Sequence, residues 1–308
     1  MLLAPWAVAA GCGWAAHKIR QQARSVEQAA HQEQVRQEGI EPGMWVGPYR
    51  VDKAIGAGAQ ADVFLARDES GQAVALKIMS ASISKDRESR TRFEREADSG
   101  SRFDHPNVIR ILRWSILDGR LWMAQPYLAG GSLADRLRPG GMPIEQVLGW
   151  LQDIAAGLSY AHQRKVIHRD LKPHNVLLDE NGRAVLADFG LARAARYETI
   201  TGDQDLLGSP AYMAPEQIQG QQVTVFSDLY SLGIIGYELL TGSPPFMGEI
   251  IKVLMSHVSD TPPSVAKLRP DAPPRLVQLI EQLLAKEPTD RPQSAAEVTR
   301  VLESLCKI

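Results

Sequence analysis

Near Gly130-Gly131 the hydrophobic pattern of this chain changes period, and that change restricts what it can fold into. Before it lie short β-rich runs at residues 49–55, 63–66 and 73–78, separated by Gly or Asp-Glu-Ser-Gly turns, as in an antiparallel sheet. A charged helix is expected over about residues 87–102, followed by strand-like runs near residues 108–117 and 121–126. After the two glycines, Val147, Leu148, Leu151, Ile154, Ala155, Leu158 and Ala161 recur at helical spacing behind Pro143, a residue suited to a first helical turn. Leu229, Leu232, Gly233, Gly236, Leu239 and Leu240 form a second stripe, and two more helices are expected at residues 274–285 and 294–306. The Pro-rich stretch 261–274 reads as a connector, an SH3-type ligand being the alternative. The plan is α+β: a small β-rich region, then a larger helical one.

Composition narrows the function classes. A length of 308 residues allows one large domain or two ordinary ones, and 44% hydrophobic with 23% charged residues is the balance of a folded chain. A net charge of −2 argues against a nucleic-acid binder working through bulk positive field. Cys12 and Cys306 stand at opposite ends, so no disulfide framework or metal-spaced cluster follows, and a reducing cytosolic setting is expected.

Residues 1–16 are uncharged and run into His17, Lys18 and Arg20. As a helix they reach about 24 Å, short of the ~30 Å hydrocarbon core. Two readings stand: a membrane anchor with the remaining chain on the cytoplasmic side, or a fortuitous apolar extension. A cleaved signal peptide is disfavoured, since no Lys or Arg precedes the apolar run. Residues 17–45 read as a polar juxtamembrane helix and linker, broken at 39–43. The main domain is placed at 46–305, its β-rich part at 46–128 and its helical part at 129–305.

Three groups of residues carry chemistry. Gly56-Ala57-Gly58-Ala59-Gln60-Ala61-Asp62-Val63 lies between two strand-like runs; it fits either a plain hairpin turn or a loop whose backbone N–H groups approach phosphate. A dinucleotide fold would need a helix next, and a strand follows instead. Val74-Ala75-Leu76-Lys77 places a lysine in an apolar strand, where an ammonium needs an anion. Glu96, nineteen residues on, shares a helical face with Phe93, Ala97 and Gly100 and is its natural partner. The strong signal is His168-Arg169-Asp170-Leu171-Lys172-Pro173-His174-Asn175, with Asp188-Phe189-Gly190 eighteen residues after Asp170 and Ala214-Pro215-Glu216 later still.

In this order and spacing the motifs resemble the protein kinase family, and their style is similar to bacterial eukaryotic-like serine/threonine kinases. The resemblance covers residues 46–305 and implies the two-lobed protein kinase fold. It implies that ATP is bound by Ile55, Gly56, Ala57, Gly58, Ala59, Gln60, Ala61 and Val63, with Ala61 standing where the family has a third glycine. Ala75, Leu177 and Val63 would enclose the adenine. Gln125 would guard the back pocket, and Pro126 and Leu128 would supply a backbone C=O and N–H. Lys77 would hold the α/β-phosphates and be held by Glu96. Asn175 and Asp188 would ligate Mg²⁺ or Mn²⁺, Asp170 would orient or deprotonate the acceptor hydroxyl, and Lys172 would neutralise charge on the moving phosphoryl group.

The same resemblance makes residues 188–216 an activation loop, with Arg169 placed to pair with a phosphate on Thr201 or Thr199. Ser209 stands where the family usually has threonine, which favours protein Ser/Thr acceptors. Glu216 is expected to pair with Arg291, and Asp228 to bond the backbone of the catalytic loop. The implied partners are ATP and protein substrates, with a dimer for trans-autophosphorylation as a further option and nucleic acid excluded. Two rivals remain: a nucleotide-binding scaffold without catalysis, and a small-molecule phosphotransferase.

Overall fold

A computed structural model of the chain describes residues 39–58, 61–80, 84, 86–189 and 210–306, excluding the side chains of Ala57, Glu88, Arg92 and Glu96. The chain divides into two compact units, one reaching Phe103 and including Arg110–Tyr127, the other comprising Asp104–Ile109 and Leu128–Ile308.

The first unit is a six-stranded antiparallel sheet in the order β1-β2-β3-β4-β6-β5. Its strands are β1 (Trp45–Val46), β2 (Tyr49–Ala57), β3 (Ala61–Arg67), β4 (Ala73–Met79), β5 (Arg113–Leu117) and β6 (Arg120–Pro126). Alternation sorts the side chains. Phe64, Ala66, Val74, Leu76, Ile78, Trp122 and Ala124 form a core on one face. Val63, Ala75, Lys77, Met123 and Gln125 therefore share the other, since Val63 and Met123 both register against Lys77 and Ala75 against Gln125.

One helix, α1 (Arg87–Ser101), follows β4; Asp86 caps it by accepting from the Ser89 amide at 2.7 Å. Phe93 and Ala97 are buried, and Phe93 meets the Trp114 ring edge-on. A Cβ on Gly100 would sit 2.5 Å from Ile111 Cδ1, so any larger residue there would have to displace the end of that side chain.

Residues 108–112, read from their apolar alternation as the start of a strand, are not one. Val108 and Ile109 instead bridge Leu186 in the second unit, where the Ile109 amide donates to Leu186 O at 2.8 Å. Strand β5 begins only at Arg113.

The second unit is built on α2 (Ile144–Gln163) and α4 (Val225–Thr241). All seven residues of the predicted α2 stripe are buried, each large aliphatic one contributing ~1.5–3 kcal/mol by leaving water. Every residue of α4 from Ser227 to Leu240 is buried, so its stripe is only part of what it hides. Gly233 and Gly236 are the close-approach points, against Leu283 and Ile280.

Around these two helices lie α3 (Pro215–Ile218), α5 (Ile250–Ser259), α6 (Val265–Leu268), α7 (Pro274–Leu283) and α8 (Ala295–Leu305). The stretch read as a plain connector thus contains the single turn α6. A short hairpin of β7 (Val176–Leu178) and β8 (Ala184–Leu186) follows the His168–Asn175 motif. Among the described residues no helix is long and apolar enough to cross a membrane, and residues 1–16 lie outside them.

Candidate functional site

In the sheet unit, β2 and β3 form a hairpin in which Gly56 registers with Val63 and the Gly58 amide bonds Ala61 O at 3.0 Å. Packing does not demand either glycine. A Cβ on Gly56 would touch Val63 at an ordinary 3.6 Å, one on Gly58 would have Ala61 O at 3.8 Å, and neither is among the positive-φ residues. A glycine that neither fold geometry nor neighbours require is suited to close backbone approach by something outside the chain. Ala59 and Gln60 lie outside the described residues.

Lys77 is half-buried on the same face as Ala75 and Val63. Gln125 is buried, its Nε2 3.7 Å from Met123 Sδ, and Pro126 ends β6 opposite Val74. Glu96 is in α1 one residue before the buried Ala97, but its side chain, and so the expected pair with Lys77, lies outside the description.

In the helical unit the residues of the His168–Asn175 motif converge. Lys172 Nζ is 2.9 Å from Asp170 Oδ2. Asn175 Nδ2 donates to Asp170 O at 2.8 Å and to Oδ2 at 3.1 Å, so two donors fix one carboxylate oxygen. The Ala187 amide donates to Asn175 O at 2.9 Å, which sets Asp188 next along the chain. Asp188 and Arg169 have φ of 57° and 67°, values costly for residues with a Cβ. Such strain, about 1–3 kcal/mol each, is characteristically held at functional sites. Leu128 and Leu177 pack on a small cluster of Ile109, Val185 and Ala187.

The loop is held from beneath by Asp228, which is 1% exposed. Its Oδ2 accepts from the His168 amide at 2.8 Å and its Oδ1 from the Arg169 amide at 2.9 Å. His162 Nε2 also lies 2.8 Å from Oδ2, a partner that sequence reasoning missed although its helical spacing puts it at the end of α2. His168 is wholly buried; its Nε2 contacts Ala187 O at 2.9 Å and its ring packs 4.7 Å from that of Phe189. Gln217 Nε2 donates to Arg169 O at 3.2 Å, a second tie that the motifs did not reveal.

Glu216 and Arg291 form a buried, doubly hydrogen-bonded pair at 2.8 and 2.9 Å, with Ser227 Oγ donating to Glu216 Oε1 at 2.7 Å. Burial alone would raise the Glu216 pKa, but the Arg291 hydrogen bonds and charge hold it below the ordinary carboxylate value. Thr199, Thr201 and Ser209 lie outside the described residues. The described residues contain no cluster of three or more His, Cys, Asp or Glu suited to a metal. Asn175 and Asp188 still offer oxygen donors, the chemistry a hard divalent cation takes.

The protein kinase domain model matches residues 49–302, and the chain belongs to that family. Its relatives are bacterial eukaryotic-like serine/threonine kinases. The serine/threonine-protein kinase PknJ of Mycobacterium tuberculosis is 38% identical over 257 residues, covering 81% of this chain and 44% of that protein. PrkC of Bacillus subtilis is 36% identical over 255 residues, covering 82% and 39%. The chain therefore spans less than half the length of these curated relatives. The crystal structure of the M. tuberculosis PknI kinase domain matches with a TM-score of 0.69 at 31% identity, covering 88% of this chain and 100% of that one.

Proposed function

We propose that this protein transfers the γ-phosphoryl group of ATP to serine and threonine hydroxyls of proteins. The observation that supports it most is the Asp170 carboxylate, fixed by Lys172 and Asn175 on a loop anchored to Asp228. Phosphoryl transfer asks for positioning and charge neutralisation more than for covalent chemistry, and these are what the arrangement supplies.

Asp170 orients the acceptor hydroxyl and receives its proton. Lys172, within contact of that carboxylate, neutralises charge that gathers on the transferred group. The Asn175 amide nitrogen is committed to Asp170, so its oxygen is the atom available to a cation, together with the Asp188 carboxylate. Mg²⁺ suits these donors, Mn²⁺ being the alternative, and when bound it neutralises phosphate charge. Lys77 contributes its ammonium to the α/β-phosphates, with Glu96 as its partner, and the Gly56–Gly58 backbone to the same anion. Ile55, Val63, Ala75, Gln125 and Pro126 of the sheet unit take the adenine.

Ser209 favours Ser/Thr over Tyr acceptors, and Thr201, or else Thr199, is the site of autophosphorylation that pairs with Arg169. Residues 1–16 tether the kinase to a membrane; deletion of them should release a membrane-bound fraction, and an unchanged fraction rejects the tether. The function itself is tested by steady-state assays with matched Ser, Thr and Tyr peptides in Mg²⁺ or Mn²⁺. Labelling of Ser and Thr peptides is expected. Labelling of Tyr alone, or of a small alcohol but no peptide, contradicts the reading.

A further inference from the structure

Gln125 is 7% exposed and shares its sheet face with Val63, Ala75, Lys77 and Met123. A buried amide normally has both its ends matched by backbone or side-chain groups. That of Gln125 does not. Among the described residues its single side-chain partner is the Met123 thioether, 3.7 Å from Nε2. A thioether is a weak acceptor and no donor, so the nitrogen is the end turned to Met123 and the carbonyl oxygen is turned away. Oε1 meets no donor among the described residues. The side-chain atoms sealed from solvent without a partner are, among those residues, His168 Nδ1 and His257 Nε2, and Gln125 Oε1 is not one of them. It is an unmatched acceptor that something from outside the chain can reach.

The register gives that oxygen its surroundings, all within the sheet unit. Ala75 stands opposite Gln125, and Lys77 stands opposite Met123, two residues further along β4. At ~3.4 Å per residue, Gln125 lies about 7 Å along the strand from the lysine assigned above to the phosphates. Ala75 is half-buried and contributes only a methyl, so a flat ring can lie against it beside the amide. Pro126, next on β6, has no N–H and offers a base only its carbonyl.

We propose that Gln125 is a specificity residue for the nucleotide base, its Oε1 accepting from the 6-amino group of adenine and opposing guanine. An exocyclic amine has two hydrogens; the Pro126 carbonyl takes one, and Oε1 takes the other. Guanine carries a carbonyl oxygen at the same position, which sets acceptor against acceptor with no hydrogen between them. The contact from Nε2 to Met123 keeps the amide from turning over and presenting its N–H instead. The inference rests on the protein-kinase reading above and deepens it, naming the side-chain atom that tells one purine from the other.

The test measures steady-state KM for ATP, GTP and purine riboside triphosphate, which lacks the 6-amino group, with dephosphorylated casein as acceptor. Wild type is compared with Gln125→Met, which keeps the length of the side chain and loses the oxygen. Wild type should have its lowest KM for ATP. In Gln125→Met the ratio of KM for purine riboside triphosphate to KM for ATP should fall about three- to tenfold, the weight of one hydrogen bond. A site that is merely loosened weakens both nucleotides alike and leaves that ratio at its wild-type value, which overturns the proposal. Equal use of GTP and ATP by wild type overturns it too. If Gln125→Met does not fold, Met123→Leu, a volume-conserving change, frees the amide to turn over. The ratio of KM for GTP to KM for ATP should then fall at least about threefold, and an unchanged ratio overturns the proposal. A wild-type protein that phosphorylates neither casein nor itself with ATP rejects the kinase reading, and the proposal with it. Phosphorylation with an unchanged nucleotide ratio rejects the Gln125 assignment alone.

Discussion

Arg291 meets Glu216 across 75 residues of chain through two hydrogen bonds, one to each carboxylate oxygen, and both side chains are withdrawn from water. Arg291 also donates to the carbonyls of Phe226, Ala285 and Lys286, so its guanidinium joins the first turn of α3, the start of α4 and the segment after α7. Removing one partner strands the other as a buried charge. Arg291→Ala should destabilise the fold by about 3–5 kcal/mol, measured by urea unfolding. A loss below about 1 kcal/mol would contradict the bracing role.

The same pair sets a pH dependence. The folded-state pKa of Glu216 lies below its ordinary value of 4.5. Its contribution is therefore complete above pH 4.5 and is lost as pH falls through the lower folded value. Glu216→Gln removes the titrating group. Below pH 4.5 its stability should fall less steeply than that of wild type, and equal slopes would show that Glu216 is not coupled to folding.

Asp228 satisfies the buried His168 amide and the partly buried Arg169 amide and touches His162, all through one carboxylate. Asp228→Ala leaves the His168 and Arg169 amides without acceptors, at about 1–3 kcal/mol each. Because those amides fix the loop carrying Asp170, turnover should fall together with the unfolding midpoint. Asp228→Asn, which retains one carbonyl oxygen, should fall between Asp228→Ala and wild type in both measurements. Wild-type turnover in Asp228→Ala would separate the anchor from catalysis.

Gly58 separates fold from function in the opposite way. A methyl there meets nothing closer than 3.8 Å, so Gly58→Ala should leave stability unchanged or raise it by about 0.4–1 kcal/mol. If the backbone receives phosphate, the methyl stands in the approach, and KM for ATP should rise several-fold. An unchanged KM would return this hairpin to an ordinary turn.

How legible these features were depended on how local their cause was. The α2 stripe could be read because one face is buried and the other wet. Helix α4 was half-read, since a helix buried on all sides has no polar face to mark its period. Helix α5 was missed: Ile251 and Met255 are apolar yet exposed, which blurs the contrast on which periodicity depends. Residues 108–112 alternate like a strand, but the Ile109 amide bonds Leu186 O while those of Ile111 and Leu112 bond Gly100 O and Ala124 O, pairings no local window contains.

The site shows the same division. Lys77 on an apolar strand and the Asp170 motif are sequence-local, and the structure brings Asp170, Lys172 and Asn175 into contact. The ties from His162 and Gln217 arise from chain segments whose neighbours are set only by tertiary packing.

Asp170 is the group on which the proposed chemistry turns, and Asp170→Asn keeps its shape while removing its charge. Both proteins should be incubated with isotopically labelled ATP and Mg²⁺, alone and with a protein acceptor, and the products mapped by mass spectrometry. The expected result is phosphoserine and phosphothreonine from wild type, including Thr201 or Thr199, and at least about a hundredfold less from Asp170→Asn. Equal label and the same phosphosites from both proteins would contradict the account.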